Sequence, residues 1–231
     1  MINKRLISIF SVFFLVTMIG VVMAANGCYR LNTYRYLIYI WNLFLAWIPF
    51  GFSLIVHNRY YKGKGNSNNI VIFICMCIWL LFYPNAPYII TDFIHISVSK
   101  YPFKIEDTLE FQRNFWIWYD FILIAFFALI GYLLGVASLY FNQIIVKDKF
   151  NAFISWIFVI IVSFLGGYGI YLGRFVRFNS WDIVSNPMKL FGYIINSFKL
   201  EAIYFSLMLG TALLFTYILV YSLINFKNNP E

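Results

Sequence analysis

The chain has 231 residues, of which 62% are hydrophobic, 23% aromatic and only 11% charged, and its mean hydropathy is +0.78. Since a soluble domain of this size carries roughly 25% charged residues, the composition excludes an ordinary soluble protein. The net charge of +8 does not imply a nucleic-acid partner, because the basic residues are dispersed and no stretch has the dense Lys/Arg stripe that such binding requires. The three cysteines show no pattern typical of a disulfide framework.

Six windows without any charged residue follow one another along the chain. They have 20 to 23 residues each and cover residues 6–25, 36–56, 70–90, 121–141, 153–172 and 202–224. A helix needs about 20 apolar residues to cross the ~30 Å hydrocarbon core of a bilayer. The sequence therefore predicts an all-α, polytopic transmembrane helical bundle with six spans and short interfacial helices. We expect a single integral membrane domain over residues 1–231, with the lipid bilayer as its main partner.

The first window follows Lys4 and Arg5, an arrangement typical of a signal anchor. The alternative is a cleaved signal peptide, because Val22-Met-Ala24 resembles a small-residue cleavage site. The apolar region is longer than the roughly 7–15 residues usual for signal peptides. We therefore expect the first span to be retained.

Six spans place both termini on one side of the membrane. That side holds eight lysines and arginines and the other side nine, so the positive-inside rule alone does not decide the orientation. The basic N-terminus and the acid-free basic loop at 58–64 favour cytoplasmic termini. The outer side then carries the polar regions 26–35, 84–115 and 173–199.

The third window contains two prolines, Pro84 and Pro87, near its end. Each proline removes a backbone donor, so the helix must kink or end there. The carbonyls left over are tolerated at membrane depth only where protein or a wet cavity supplies donors. Asn85, between the two prolines, is a candidate substrate-binding residue.

Asp92 and His95 follow this break one helical turn apart and share a side with Thr91. A carboxylate so placed can orient the imidazole, and the pair then acts as a general base or binds a metal. The alternative is a solvated polar face or a cap on the broken helix, because Asp-x-x-His is a weak signal. No cofactor is identified by the sequence.

The fourth and fifth spans carry small residues at helical spacing. Ala128, Gly131, Gly135 and Ser138 form one stripe, and Gly166, Gly167, Gly169 and Gly173 form another. Such stripes favour close helix packing in lipid. The alternative for the second is a deformable helix end that lines a site. Asp120, at the start of the fourth span, is a candidate catalytic carboxylate or a charge that suits a helix N-terminus.

Arg174 and Arg177 lie one turn apart after the fifth span, so the spacing predicts guanidinium groups on one helix face. Their expected partners are Asp92, Asp120 or Asp182, or a phosphate or carboxylate on a ligand. Asn179 or Ser180 is an expected N-cap of the next helix. Asp182 is a further candidate carboxylate.

These polar residues lie at the ends of three spans on the same side. We interpret them as a membrane-embedded enzyme acting on an anionic lipid-linked or amphiphilic substrate at the outer interface. The catalytic candidates are Asp92, His95, Asp120 and Asp182, and the substrate-binding candidates are Arg174, Arg177, Asn85 and Asn179. A transporter or channel and a non-catalytic scaffold with an ion-pair cluster stay open. Charge-free spans count against ion coupling at the midplane.

Several stretches carry a family resemblance. They are Trp41-Asn-Leu-Phe-Leu-Ala-Trp-Ile-Pro49, Trp79-Leu-Leu-Phe-Tyr-Pro-Asn-Ala-Pro-Tyr-Ile-Ile-Thr-Asp92 with His95, Trp118-Tyr-Asp120, Leu134-Gly-Val-Ala-Ser-Leu-Tyr140 and Gly169-Ile-Tyr-Leu-Gly-Arg-Phe-Val-Arg-Phe-Asn-Ser-Trp-Asp182. The chain resembles the uncharacterised bacterial membrane proteins catalogued as domain of unknown function 1361, with Phe178 in place of an expected tryptophan. The resemblance implies a multi-pass protein of the bacterial cell membrane and supplies no activity, partner or oligomeric state.

Overall fold

A computed structural model describes residues 4–63, 66–96, 113–185, 188, 192 and 199–226, and these residues form helices and connecting turns. The helices are α1 (Lys4–Arg30), α2 (Leu37–Lys62), α3 (Asn66–Phe82), α4 (Asn85–Tyr88), α5 (Phe115–Lys149), α6 (Ala152–Tyr171), α7 (Asp182–Ser185) and α8 (Leu200–Asn225). A 3₁₀ turn, Ile89–His95, follows α4, and a π-helical turn, Leu172–Val176, continues α6. The predicted all-α fold is confirmed.

Six segments within the described residues are long and apolar enough to cross a membrane. They are Leu6–Arg30, Leu37–Lys62, Asn68–His95, Phe115–Lys149, Ala152–Val176 and Leu200–Asn225. The helices extend beyond the charge-free windows and include charged residues such as Arg30, Lys62 and Lys149 in their last turns. Long basic side chains at helix ends reach the head-group region, so they are compatible with a span.

The fourth span, α5, lies at the centre of the bundle and is the most buried of the six. It packs against α1, α2, α4 and α6, while α8 packs along α6 and α3 along α2. Its start is set by Asn114, whose side-chain oxygen accepts a hydrogen bond of 2.9 Å from the backbone N–H of Trp116. Asn151 caps α6 in the same way through the N–H of Ile154.

The predicted break in the third span is present, since α3 ends at Phe82 and the chain continues through α4 and the 3₁₀ turn. This broken segment lies against α5 and α6. A β-carbon on Gly131 would lie 2.6 Å from Ile89 Cδ1 and 2.8 Å from the Ala86 carbonyl oxygen, and one on Gly169 would lie 2.5 Å from Pro84 Cγ. The small residues therefore let the broken segment approach both helices closely.

Candidate functional site

A cavity of about 670 Å³ lies at the end of the bundle where α2 begins and α6 ends, which we call the site end. Small-molecule sites usually have volumes of roughly 300–1,000 Å³, so the cavity is large enough for a ligand. Six of the eight predicted site residues line it: Asn85, Asp92, His95, Arg174, Arg177 and Asn179. The charged side chains of the lining are one carboxylate and two guanidinium groups.

Asp92 and Arg174 form an ion pair at the cavity wall. Arg174 Nη2 donates to Asp92 Oδ1 at 2.7 Å, and Asn42 Nδ2 donates to Asp92 Oδ2 at 2.9 Å. The Asp92 side chain is only 3% exposed. Because both carboxylate oxygens accept hydrogen bonds and little of the group is accessible, its geometry suits the positioning of Arg174 better than direct attack on a ligand.

Arg174 is held by further contacts to the broken third span. Its Nε and Nη2 donate to Thr91 Oγ1 at 3.0 and 2.6 Å, and its guanidinium carbon lies 4.8 Å from the centroid of the Tyr88 ring. A guanidinium at this distance over an aromatic face makes a cation–π contact. The end of α6 is thus tied to the segment that follows the proline break.

His95 joins the same cluster through Arg174. Its Nε2 lies 2.9 Å from Arg174 Nη1 and 3.9 Å from Asp92 Oδ1. A guanidinium group only donates hydrogen bonds, so a hydrogen bond at this distance requires Nε2 to act as the acceptor. The side chain is 45% exposed, which leaves it accessible to a ligand. Among the described residues no group of three or more His, Cys, Asp and Glu side chains is placed to hold a metal ion.

Arg177 differs from Arg174 in its backbone and in its surroundings. The helix that the spacing predicts across both arginines ends between them, because Arg177 follows the π-helical turn with a left-handed φ of 61°. This conformation costs a non-glycine residue roughly 1–2 kcal/mol. The side chain is exposed and lines the cavity, and no residue in the described part of the chain forms a hydrogen bond or ion pair with it.

Asp120 does not line the cavity, so the structure does not bring it together with Arg174 there. Its Oδ1 accepts a hydrogen bond of 3.2 Å from Arg35 Nη2 and another from the hydroxyl of Tyr36. Both donors come from the connection between α1 and α2, which therefore lies beside Asp120 near the start of α5. This second ion pair joins α5 to that connection at the site end.

Asp182 is also absent from the cavity lining. Its Oδ2 accepts a hydrogen bond of 2.7 Å from the backbone N–H of Asn179, and its Oδ1 accepts one of 3.2 Å from Ser185 Oγ. The expected capping by Asn179 or Ser180 is replaced by this contact, in which the Asp182 carboxylate closes the turn before α7. The geometry accounts for Asp182 as a local structural residue.

Asn85 and Ser180 supply the donors that the broken third span needs. Asn85 Nδ2 donates to the Phe82 carbonyl at 3.1 Å and to Ser180 Oγ at 2.9 Å, while Ser180 Oγ donates to the Leu81 carbonyl at 3.1 Å. Two carbonyls freed by the break are therefore satisfied by side chains. The contacts give Asn85 a structural role at the cavity wall.

Replacing Asn85 with alanine is expected to lower the free energy of unfolding by about 1–3 kcal/mol, because the Phe82 carbonyl loses its donor. Thermal unfolding of the purified protein in detergent measures this. Asn179→Ala is the control: its side chain is exposed in the same cavity, so we expect a change within about 0.5 kcal/mol. Equal stability of both variants would contradict the structural role.

Sequence reasoning missed two residues that complete the clusters, Asn42 and Arg35. Asn42 could have been found from the sequence, because an amide inside an otherwise apolar span usually forms a hydrogen bond with a polar group of the bundle. Arg35 gives no such signal, because it precedes the second span in a region that contains other polar residues. Its pairing with Asp120 depends on how α1 and α2 meet α5.

The described residues form a bundle with six helices long and apolar enough to span a membrane, and charged and apolar side chains line a cavity at one end. These features define the class: this is a multi-pass integral membrane protein. Within that class the chain belongs to the family described as protein of unknown function, DUF1361, whose model matches residues 41–216. The match confirms the resemblance and includes all eight predicted site residues. No curated protein and no solved structure matches the chain.

Proposed function

We propose that the cavity binds the anionic head group of a lipid-linked or other amphiphilic molecule and that the protein acts on it as a membrane-embedded enzyme. In this proposal the membrane is the bacterial cell membrane, the termini are cytoplasmic and the cavity faces outward. The observation that carries the proposal is the exposed guanidinium of Arg177, which lines the cavity without a protein partner in the described residues.

Charge balance supports an anionic ligand. The negative charge of Asp92 is compensated by Arg174, whose Nη2 lies 2.7 Å from Asp92 Oδ1. Within the described residues no acidic side chain compensates Arg177, and a phosphate or carboxylate on a ligand would balance its charge. The planar guanidinium fork matches either group through two parallel hydrogen bonds.

The roles within the site follow from accessibility. Arg177 contacts the anionic group, and Arg174, fixed by Asp92 and Thr91, supports it from the cavity wall. His95 is exposed in the lining, and an imidazole is a common general acid or base in enzymes. Asp92 acts as a positioning residue, while Asp120 and Asp182 take no part.

The test is the binding of dioleoyl phosphatidic acid to the purified protein in detergent, measured by native mass spectrometry. We expect Arg177→Gln to weaken binding about tenfold, because a charge-assisted hydrogen bond contributes roughly 1.5–3 kcal/mol. Lys199→Gln is the matched control, since Lys199 is exposed just before α8 and does not line the cavity. The control should bind like the wild type.

Unchanged binding by Arg177→Gln would overturn the proposal. The direct ion pair between Asp92 and Arg174 favours a second candidate function, that of a non-catalytic scaffold. In such a scaffold the polar cluster only joins the third span to α6. That candidate predicts that Arg177→Gln changes nothing, whereas changes at Arg174 alter stability alone.

A further inference from the structure

One wall of the cavity is apolar and belongs to α2. Ile38, Trp41 and Leu45 lie at i, i+3 and i+7 of this helix and all line the cavity. Asn42, which donates to Asp92, lies beside them on the same helix. The ion pair and the apolar wall are therefore parts of one continuous surface, polar at one side and apolar along α2.

The apolar wall also borders the outer surface of the bundle. Ile38 is 53% and Trp41 49% exposed, although both lie on a membrane-spanning helix. The Trp41 ring meets Trp181 edge to face, with ring centroids 6.4 Å apart. Leu81 and Leu172 are further apolar residues of the cavity lining. Tryptophans commonly mark the boundary between head groups and hydrocarbon, so the wall begins at that level and continues along a span.

We infer that the ligand is a lipid whose hydrocarbon chain leaves the cavity past Trp41 and follows α2 into the bilayer. This inference rests on the proposed head-group site at Arg177 and names what is attached to the head group. A water-soluble anion would leave the exposed apolar surface of Ile38 and Trp41 uncovered, whereas a hydrocarbon chain covers it. The Trp41–Trp181 contact marks the side of the cavity at which the chain enters.

Photolabelling tests the chain's path. Phosphatidic acid with a diazirine on one acyl chain is added to the full-length protein in phosphatidylcholine nanodiscs, and the adducts are mapped by peptide mass spectrometry. We expect excess unlabelled phosphatidic acid to lower the labelling of residues 38–45 about tenfold. The Arg177→Gln substitution should lower the same labelling by a similar factor without any competitor. Labelling of Leu219 and Leu223, exposed on α8, should stay unchanged because it reports general lipid contact.

A blocking variant separates the chain from the head group. The larger side chain in Ile38→Trp fills part of the space beside α2 that the acyl chain would occupy. We expect this variant to bind dioleoyl phosphatidic acid about tenfold more weakly and to bind glycerol 3-phosphate as the wild type does. Ile122→Trp on α5 is the matched control, since Ile122 has the same 53% exposure and does not line the cavity. It should bind both probes normally.

The outcomes distinguish this inference from the proposed function. If phosphatidic acid binding depends on Arg177 but labelling at residues 38–45 is not competed, the chain path is wrong and the head-group site stands. If Ile38→Trp weakens both probes equally, the chain path is likewise wrong. If neither binding nor labelling depends on Arg177, the inference and the proposed function both fail.

Discussion

Arg174→Ala is expected to lower the free energy of unfolding by about 3–5 kcal/mol, the usual loss when one partner of a buried ion pair is removed. The Asp92 carboxylate, 3% exposed, would keep only the hydrogen bond from Asn42. Thr91 would lose both donors from the guanidinium. Thermal and denaturant unfolding of the purified protein in one detergent measures the loss.

The matched control is Arg177→Ala, which removes the same side chain three positions later. Arg177 is exposed and has no partner in the described residues, so we expect a stability change within about 0.5 kcal/mol. The double variant Asp92→Ala/Arg174→Ala should lose less than the sum of the two single losses, since neither charge is then left unpaired. Additive losses, or equal stability of the two arginine variants, would show that the pair is not coupled.

The contrast between these two arginines separates stability from binding. Arg174 is expected to control stability because contacts with Thr91, Asp92, His95 and Tyr88 fix it. Arg177 is expected to control anion binding because no described residue holds its side chain. A scaffold requires only the first effect. The proposed enzyme requires both, on different residues.

Gly131→Ala is expected to lower the free energy of unfolding by about 1–3 kcal/mol through overpacking. The added methyl would lie 2.8 Å from the Ala86 carbonyl oxygen, a backbone atom that cannot move without the whole broken segment. In an open helix the same change stabilises by up to about 1 kcal/mol through helix propensity. The sign of the change in unfolding free energy therefore reports whether α5 closely approaches the segment that carries Asp92.

Gly51→Ala in α2 is the control for Gly131→Ala, because a β-carbon there meets nothing within 4 Å. Thermal unfolding of both variants in the same detergent gives the comparison. We expect Gly51→Ala to be as stable as the wild type or more stable. If Gly131→Ala behaves like Gly51→Ala, the close packing of the broken segment against α5 is wrong.

Much of the site was predictable because local chemistry dictates it. Each of two prolines three residues apart removes a backbone donor from the helix, so the end of α3 at Phe82, just before Pro84, follows from the sequence. The freed carbonyls require donors, and an amide inside the break is the nearest source, as Asn85 shows. The partnership of Asp92 with Arg174 was one of several pairings that charge alone allowed.

The errors concern carboxylates whose partners depend on packing. Asp120 and Asp182 have the same charge and lie on the same side as Asp92, so sequence reasoning treats the three alike. In the structure Asp120 pairs with Arg35 and Asp182 closes a turn before α7. Nothing in the local sequence of Asp120 indicates that its side chain meets the α1–α2 connection.

The sequence by itself determined the class of protein and its six spans, because charged residues are costly in hydrocarbon and their absence from six windows is visible without coordinates. Only the tertiary structure decided which charges meet. Ion pairing depends on distances of a few ångströms between helices far apart in the chain, and the glycine contacts around the broken segment set those distances. The cavity, with Arg177 exposed beside the compensated Asp92–Arg174 pair, is a product of that packing.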